Sequence, residues 1–159
     1  MGFQVGIGYD IHRRAAGRPL VLGGVTIPGD WGLEGHSDAD VLSHAVGDAL
    51  LGAVSLGDLG RHFPPDDPRW KDSSSIELLG LIRALLAGRG ATVVNVDVTV
   101  VAEEPKLAPL REAMCRNVAQ ALRIGAEKVS VKATTNEALG ALGRREGVAA
   151  LAVVMVELP

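Results

Sequence analysis

Along the first dozen residues, apolar positions alternate with small or polar ones: Phe3, Val5, Ile7, Tyr9 and Ile11 against Gln4, Gly6, Gly8, Asp10 and His12. A period of two predicts a half-buried β-strand. One face of it carries two glycines, then a carboxylate, then an imidazole. The stretch LVLGGVTI sets two β-branched runs about Gly23-Gly24 and predicts a hairpin. The period then changes. In HSDADVLSHAVGDALLGA, Leu42, Ala45, Val46, Ala49, Leu50 and Ala53 form a helical core stripe, and Asp40, His44 and Asp48 recur every four residues on another face. Ser37 and Asp40 have the spacing of a capping box, which starts the helix there and puts Asp38 and Asp40 in its first turn, where they complement the dipole.

A Gly-, Pro- and Asp-rich loop, SLGDLGRHFPPDDPRWKDSS, follows, and a loop of that length is usually functional or mobile. Ser74 with Glu77 caps a second helix that stops at Gly88 to Gly90. Val94, Val96, Val98 and Val100 alternate within Ala91 to Val101 and predict a strand. After EEPK, the residues Leu107, Leu110, Met114, Val118 and Leu122 predict a third helix. KVSVKAT and VAALAVVMVEL are the last two strands, separated by the loop TNEALGALGRREG. The sequence shows no internal repeat and no low-complexity linker, so residues 1–159 are expected to form a single domain. The order implies an α+β fold, a two-layer sandwich of a mixed β-sheet with helices on one face. Such a layer leaves the other sheet face bare, and self-association is expected to bury it.

Composition narrows the partners. The chain has 159 residues, 47% of them hydrophobic, with a formal net charge of −3. Neither a basic run nor an aromatic-interleaved basic patch is present, which argues against a nucleic-acid or anionic-membrane surface. The single Cys115 cannot form an intrachain disulfide and reads as a structural thiol in a reducing, cytoplasmic setting. No signal-peptide or myristoylation pattern opens the chain, and the longest apolar run, Val148 to Val156, suits a buried strand.

The chemistry-bearing residues are Asp10 and His12 on one strand face and His44 on the first helix. Two ligands from a strand and one from a helix can converge on a Zn²⁺ ion with a fourth position open, and Gly6 and Gly8 would then clear space for whatever fills it. The same residues also fit a plainer reading, an Asp-x-His pair and a hydrogen-bonding helix histidine with no ion. Asp40 and Asp48, one turn either side of His44, could orient its imidazole.

GYDIH, HSDADVLSHAVGDALLGA, LGDLGRHFPPDDPRWKDSSS, AEEPKL and KATTNEALGALGRREGVAALAVV occur in one order along the whole chain. Together they resemble the 2-C-methyl-D-erythritol 2,4-cyclodiphosphate synthase family. The resemblance implies a metal-dependent, CMP-releasing phosphorus–oxygen lyase of the non-mevalonate isoprenoid pathway. Its substrate would be 4-diphosphocytidyl-2-C-methyl-D-erythritol 2-phosphate, whose 2-phosphate attacks the β-phosphorus. It further implies zinc on Asp10, His12 and His44, and magnesium or manganese on Glu137, with Thr135 among the catalytic residues. His36 and Ser37 match a phosphate-binding segment, Asp58, Gly60 and Phe63 a polyol-binding one (DLG here in place of DIG), and FPPDDPRW, with Asp67, a mobile flap. Ala102, Pro105 and Lys106 match a cytosine pocket, and Lys132, Thr134 and Thr135 its neighbouring loop. Arg144 and Glu146 match a segment lining the axial cavity of a homotrimer whose active sites lie between chains. Ala141 and Leu151 depart from relatives that hold an isoprenoid diphosphate in that cavity. Two rivals remain: a non-catalytic small-molecule-binding trimer, and a phosphohydrolase, which would need more clustered ligands than this chain offers.

Overall fold

The computed structural model describes residues 1–159. The first strand, β1 (Gly2–Ala16), is longer than its alternating stretch and is followed by β2 (Leu20–Leu22), β3 (Val25–Ile27) and β4 (Trp31–Leu33). Then come α1 (Val41–Ala53), a short α2 (Leu59–His62) and α3 (Ser75–Gly88). The remainder is β5 (Thr92–Val101), α4 (Arg111–Leu122), β6 (Val129–Thr134), a one-turn α5 (Gly140–Gly143) and β7 (Gly147–Leu158). Five strands form one sheet in the order β4-β1-β7-β5-β6. Only β5 and β6 run parallel, so the sheet is mixed as expected. β2 and β3 form the separate hairpin, with Gly23 and Gly24 at φ +55 and +70 as a two-residue turn between right-twisted strands requires.

The register fixes which residues share a face. Gly6, Gly8, Asp10 and His12 of β1 pair with Val154, Ala152, Ala150 and Val148 of β7, and Val96, Val98 and Val100 of β5 continue the same rows. This face is buried beneath α1 and α4, with α3 packed against both helices. Leu42, Leu50, Leu51, Leu79, Ile82 and Leu86 fill the layer, each worth roughly 1.5–3 kcal/mol of burial. Helix α1 is buried nearly all round, because the sheet takes one side and α3 another.

The other face is bare and apolar along β1 and β7: Phe3, Val5, Ile7 and Tyr9 stand beside Leu151, Val153 and Met155. Ile7 is 71% exposed and Val153 45%. Toward β5 and β6 the same face turns polar, with Asp97, Thr99, Lys132 and Thr134, and Lys132 pairs with Asp97 at 2.7 Å.

Three expectations are corrected at the start of α1. The helix begins at Val41, not at Ser37, because Ala39 has a left-handed φ of +56. Asp40, not Ser37, is the cap: its carboxylate accepts from Ser43 N–H at 3.0 Å. Asp38, expected in the first turn, instead accepts from Ser75 N–H at the start of α3, at 2.9 Å. The capping of α3 by Ser74 toward Glu77 is as read from the sequence. No helix is long and apolar enough to cross a membrane.

Candidate metal centre and active site

The glycines explain how β1 meets α1, and the explanation differs from the one expected. A Cβ on Gly6 would stand 1.8 Å from the Ala49 carbonyl oxygen, and one on Gly8 1.9 Å from that of Ala45. The cleared space is therefore occupied by the helix backbone, not by a ligand. This close approach carries His44, one residue before Ala45, onto the end of the same strand face.

There Asp10 Oδ2, His12 Nε2 and His44 Nδ1 form a triangle with edges of 2.9, 3.0 and 3.2 Å. Two atoms bound ~2.0 Å from a tetrahedral ion stand ~3.3 Å apart, so the triangle has the size of one face of such a site. Hydrogen bonds on the outer side fix the tautomers. His12 Nδ1–H donates to the Glu34 carbonyl at 2.6 Å, which turns the Nε2 lone pair inward. His44 Nε2 lies 2.9 Å from Ser75 Oγ, whose own proton goes to the Asp38 carboxylate in a short bond. Ser75 can only accept, so His44 carries its proton on Nε2 and offers the Nδ1 lone pair to the centre. Three converging lone pairs fit a divalent ion.

The electrostatics agree. Burial alone would raise the Asp10 carboxyl, but hydrogen bonds and charge from His12 and His44 outweigh it and hold it at about 2. Burial likewise works to lower His12, and the Asp10 carboxylate more than compensates, so its pKa is raised. Without an ion, the carboxylate is the only anion holding two imidazoles together.

The centre opens into a cavity of about 270 Å³, with His36, Ser37 and Asp48 on its polar side and Leu59, Phe63, Pro65, Trp70 and Leu78 on its apolar side. Phe63 and Trp70 meet edge to face with centroids 5.0 Å apart. Part of the FPPDDPRW segment thus lies over the centre, while Asp67 caps the following turn and pairs with Arg69. Asp58 and Gly60 do not line the cavity: Asp58 accepts from Arg61 N–H and caps α2, the helix that carries Leu59.

The orienting role expected of Asp40 and Asp48 is not what their contacts provide. Asp40 is fully buried and accepts from Gly23 N–H, Gly24 N–H and both Ser43 donors, tying the hairpin to α1. Asp48 accepts from Leu59 N–H at 2.8 Å. The groups that do orient the imidazoles, Ser75 with Asp38, the Ser37 hydroxyl 3.1 Å from His44 Nε2, and the Glu34 carbonyl, were not singled out for that role in the sequence. The run of serines at 73–75 beside a helix start is the one signal that could have pointed to Ser75.

The remaining residues gather elsewhere. Lys132 and Thr134 sit on the bare sheet face, opposite that of Asp10 and His12, and Thr135 and Glu137 follow at the same end of β6. Ala102, Pro105 and Lys106 leave β5 beside them, and Ala102 N–H donates to the Thr134 carbonyl at 2.9 Å. Arg144 Nε donates to Glu146 at 2.6 Å. One chain thus carries two groups of candidate residues on opposite faces of one sheet, and its fold does not merge them.

The YgbB family pattern matches residues 3–157. The chain belongs to the YgbB family. Among its relatives, 2-C-methyl-D-erythritol 2,4-cyclodiphosphate synthase of Dechloromonas aromatica is 57% identical over 157 residues, covering 99% of this chain and 98% of that one. The synthase of Symbiobacterium thermophilum is 55% identical over 152 residues, covering 96% and 97%. Among solved structures, the bifunctional IspDF of Campylobacter jejuni superposes with a TM-score of 0.95 at 40% identity, covering 99% of this chain, which spans only 43% of that one. IspF of Plasmodium falciparum in complex with CDP gives 0.86 at 31% identity, covering 99% and 97%. Family membership and the α+β architecture therefore agree with the sequence reading.

Proposed function

We propose that this chain converts 4-diphosphocytidyl-2-C-methyl-D-erythritol 2-phosphate into 2-C-methyl-D-erythritol 2,4-cyclodiphosphate. An oxygen of the 2-phosphate bonds to the β-phosphorus, the bond from that phosphorus to the CMP oxygen breaks, and CMP leaves. The observation that carries this reading is the inward-facing Asp10, His12 and His44 triangle at the foot of a cavity of about 270 Å³, in a family whose relatives bear the synthase name over nearly their full length.

The reaction brings phosphate onto phosphate, so positioning and charge neutralisation dominate its barrier. A zinc ion held by Asp10, His12 and His44, and a magnesium or manganese ion held by Glu137 and substrate, would supply positive charge at the phosphate oxygens. The protein does the rest with fixed groups. Ser37 and His36 stand at the polar rim, where a phosphate would meet the hydroxyl. Phe63 and Trp70 make an apolar wall that excludes water, which would otherwise compete with the 2-phosphate as nucleophile. Lys106, Lys132, Thr134 and Thr135 would form the nucleotide side with Ala102 and Pro105; that relatives have been solved with CDP supports a nucleotide-binding site in this family. The wall segment would move as a flap, with Asp58, Gly60 and Asp67 serving the polyol side.

Two halves on opposite sheet faces cannot serve one substrate within one chain. A homotrimer that buries the apolar face of β1 and β7, with each site built between neighbouring chains, resolves this. The whole chain acts as one catalytic domain in a cytoplasmic enzyme, and Arg144 with Glu146 belongs to the axial region. Phosphorus NMR of protein, substrate and magnesium tests the reaction. CMP with a cyclic diphosphate, lost on chelation and restored by zinc, is expected; intact substrate with zinc bound would favour the binding-protein reading.

A further inference from the structure

Where the chain leaves β5, two adjacent carboxylates are committed in different directions. Glu104 accepts from Arg14 at 2.7 Å and lies 3.4 Å from Arg145. Glu103 pairs with neither. One of its oxygens, Oε1, accepts from Asn136 N–H at 3.0 Å and from Ala138 N–H at 3.1 Å. Between those two amides sits Glu137.

Glu137 and Ala138 are consecutive non-glycine residues in the left-handed region, at φ +52 and +59. Such conformations persist only where the surroundings over-determine them. Here Thr135 Oγ1 accepts from Glu137 N–H at 3.2 Å, and Gly143 packs so close that a Cβ on it would stand 2.1 Å from the Ala138 carbonyl carbon. The Glu103 oxygen gathers the amides on either side of Glu137 and turns its backbone outward. The Glu137 carboxylate itself makes no hydrogen bond or ion pair and is exposed, so its direction is set by the backbone beneath it.

We propose that Glu103 is a positioning residue that shapes the 135–138 loop and presents the Glu137 carboxylate to the second divalent ion. This rests on the reading of Glu137 as that ion's ligand. What Glu103 supplies is one acceptor oxygen at a fixed reach. Its charge strengthens both bonds, but the position of the oxygen is what shapes the loop, and an uncharged acceptor at the same reach keeps that geometry.

Two variants separate reach from charge. Glu103→Gln keeps an acceptor oxygen at full length and loses the charge; Glu103→Asp keeps the charge and falls one methylene short. Free Mn²⁺ is followed by electron paramagnetic resonance as it is titrated into zinc-loaded protein with CDP, beside zinc content and melting temperature. Glu103→Asp is expected to weaken Mn²⁺ binding by about tenfold or more while keeping its zinc. Glu103→Gln is expected to bind Mn²⁺ like the unaltered protein. The opposite order, or no change in Glu103→Asp, would overturn the proposal. Glu137→Gln is titrated alongside: unchanged Mn²⁺ binding there would refute the ligand reading itself, whereas loss there with none in Glu103→Asp would refute only the positioning role.

Discussion

Replacing Gly8 with Ala puts a methyl group 1.9 Å from the Ala45 carbonyl oxygen. Real contacts of this kind do not fall below 3.0 Å, so strand and helix must separate by at least the difference, 1.1 Å. The obstacle is backbone, and no rotamer change can relieve it. Helix α1 is also packed against α3, so it cannot retreat without disturbing the core. Overpacking of this severity costs about 3 kcal/mol. For a domain of this size that lowers the melting temperature by roughly 6–12 °C. The same shift would open a triangle whose edges are 2.9–3.2 Å, and lost ligand geometry should weaken zinc by about 10–100-fold. Gly52→Ala is the control: it lies in the same helix with nothing within 4 Å of an added Cβ, and should be neutral or stabilising by up to about 1 kcal/mol. Thermal unfolding and zinc competition with a chelator measure both effects. A Gly8→Ala protein that melts and holds zinc like the original would refute the close-approach reasoning.

Asp40→Ala strands the buried amides of Gly23 and Ser43, the half-buried amide of Gly24 and a hydroxyl, and should cost about 3 kcal/mol in urea unfolding. Because the Asp40 carboxylate makes no hydrogen bond to the His44 imidazole, and the bond from His44 N–H to the Asp40 carbonyl survives the substitution, the zinc affinity of the molecules that remain folded should hold. The metal-free and zinc-loaded proteins should respond to pH in opposite directions. In the metal-free protein the raised His12 pKa contributes stability that is fully present below its ordinary 6.5 and lost as pH rises through the folded value. Asp10, lowered from 3.8 to about 2, contributes stability present above 3.8 and lost only as pH falls through about 2. His12→Asn should therefore destabilise the metal-free protein more at pH ~5.5 than at pH ~8.5, while the zinc-loaded protein loses its ion as pH falls because ligand imidazoles must be neutral. Differential scanning calorimetry at the two pH values, with and without chelator, checks the signs.

The long alternating and helical periods were legible because each runs for several repeats: β1, α1, α3, β5 and β7 stand where their patterns put them. Elements of three or four residues, such as β4 and α2, are too short to show a period. Within β5, a bulge between Val93 and Asn95 also shifts the register, so Val94 drops out of its alternating row. The cluster of Asp10, His12 and His44, which could hold a metal ion, was legible because period two and period 3.6 both direct side chains toward one place. Asp40 misled for the same reason in reverse: helical spacing aligned it with His44, but as a cap its backbone is not helical, and its side chain turns to the hairpin. Gly6 and Gly8 signalled a close approach without saying what approaches. Ser75 and Asp38 are 37 positions apart, and Glu103 lies 33 from Asn136, so only folding brings these partners together.

The division of candidate residues between opposite faces of the sheet is tested most directly by mixing subunits. His44→Ala and Glu137→Gln chains, each expected to be inactive alone, are co-expressed with different tags and purified as mixed assemblies, and CMP release is measured. If each site joins the triad of one chain to the Glu137 loop of its neighbour, every mixed trimer holds one intact site of its three, so the purified mixed assemblies restore about a third of the original activity. Mixed assemblies that form, bind zinc and release no CMP would contradict a site shared between chains.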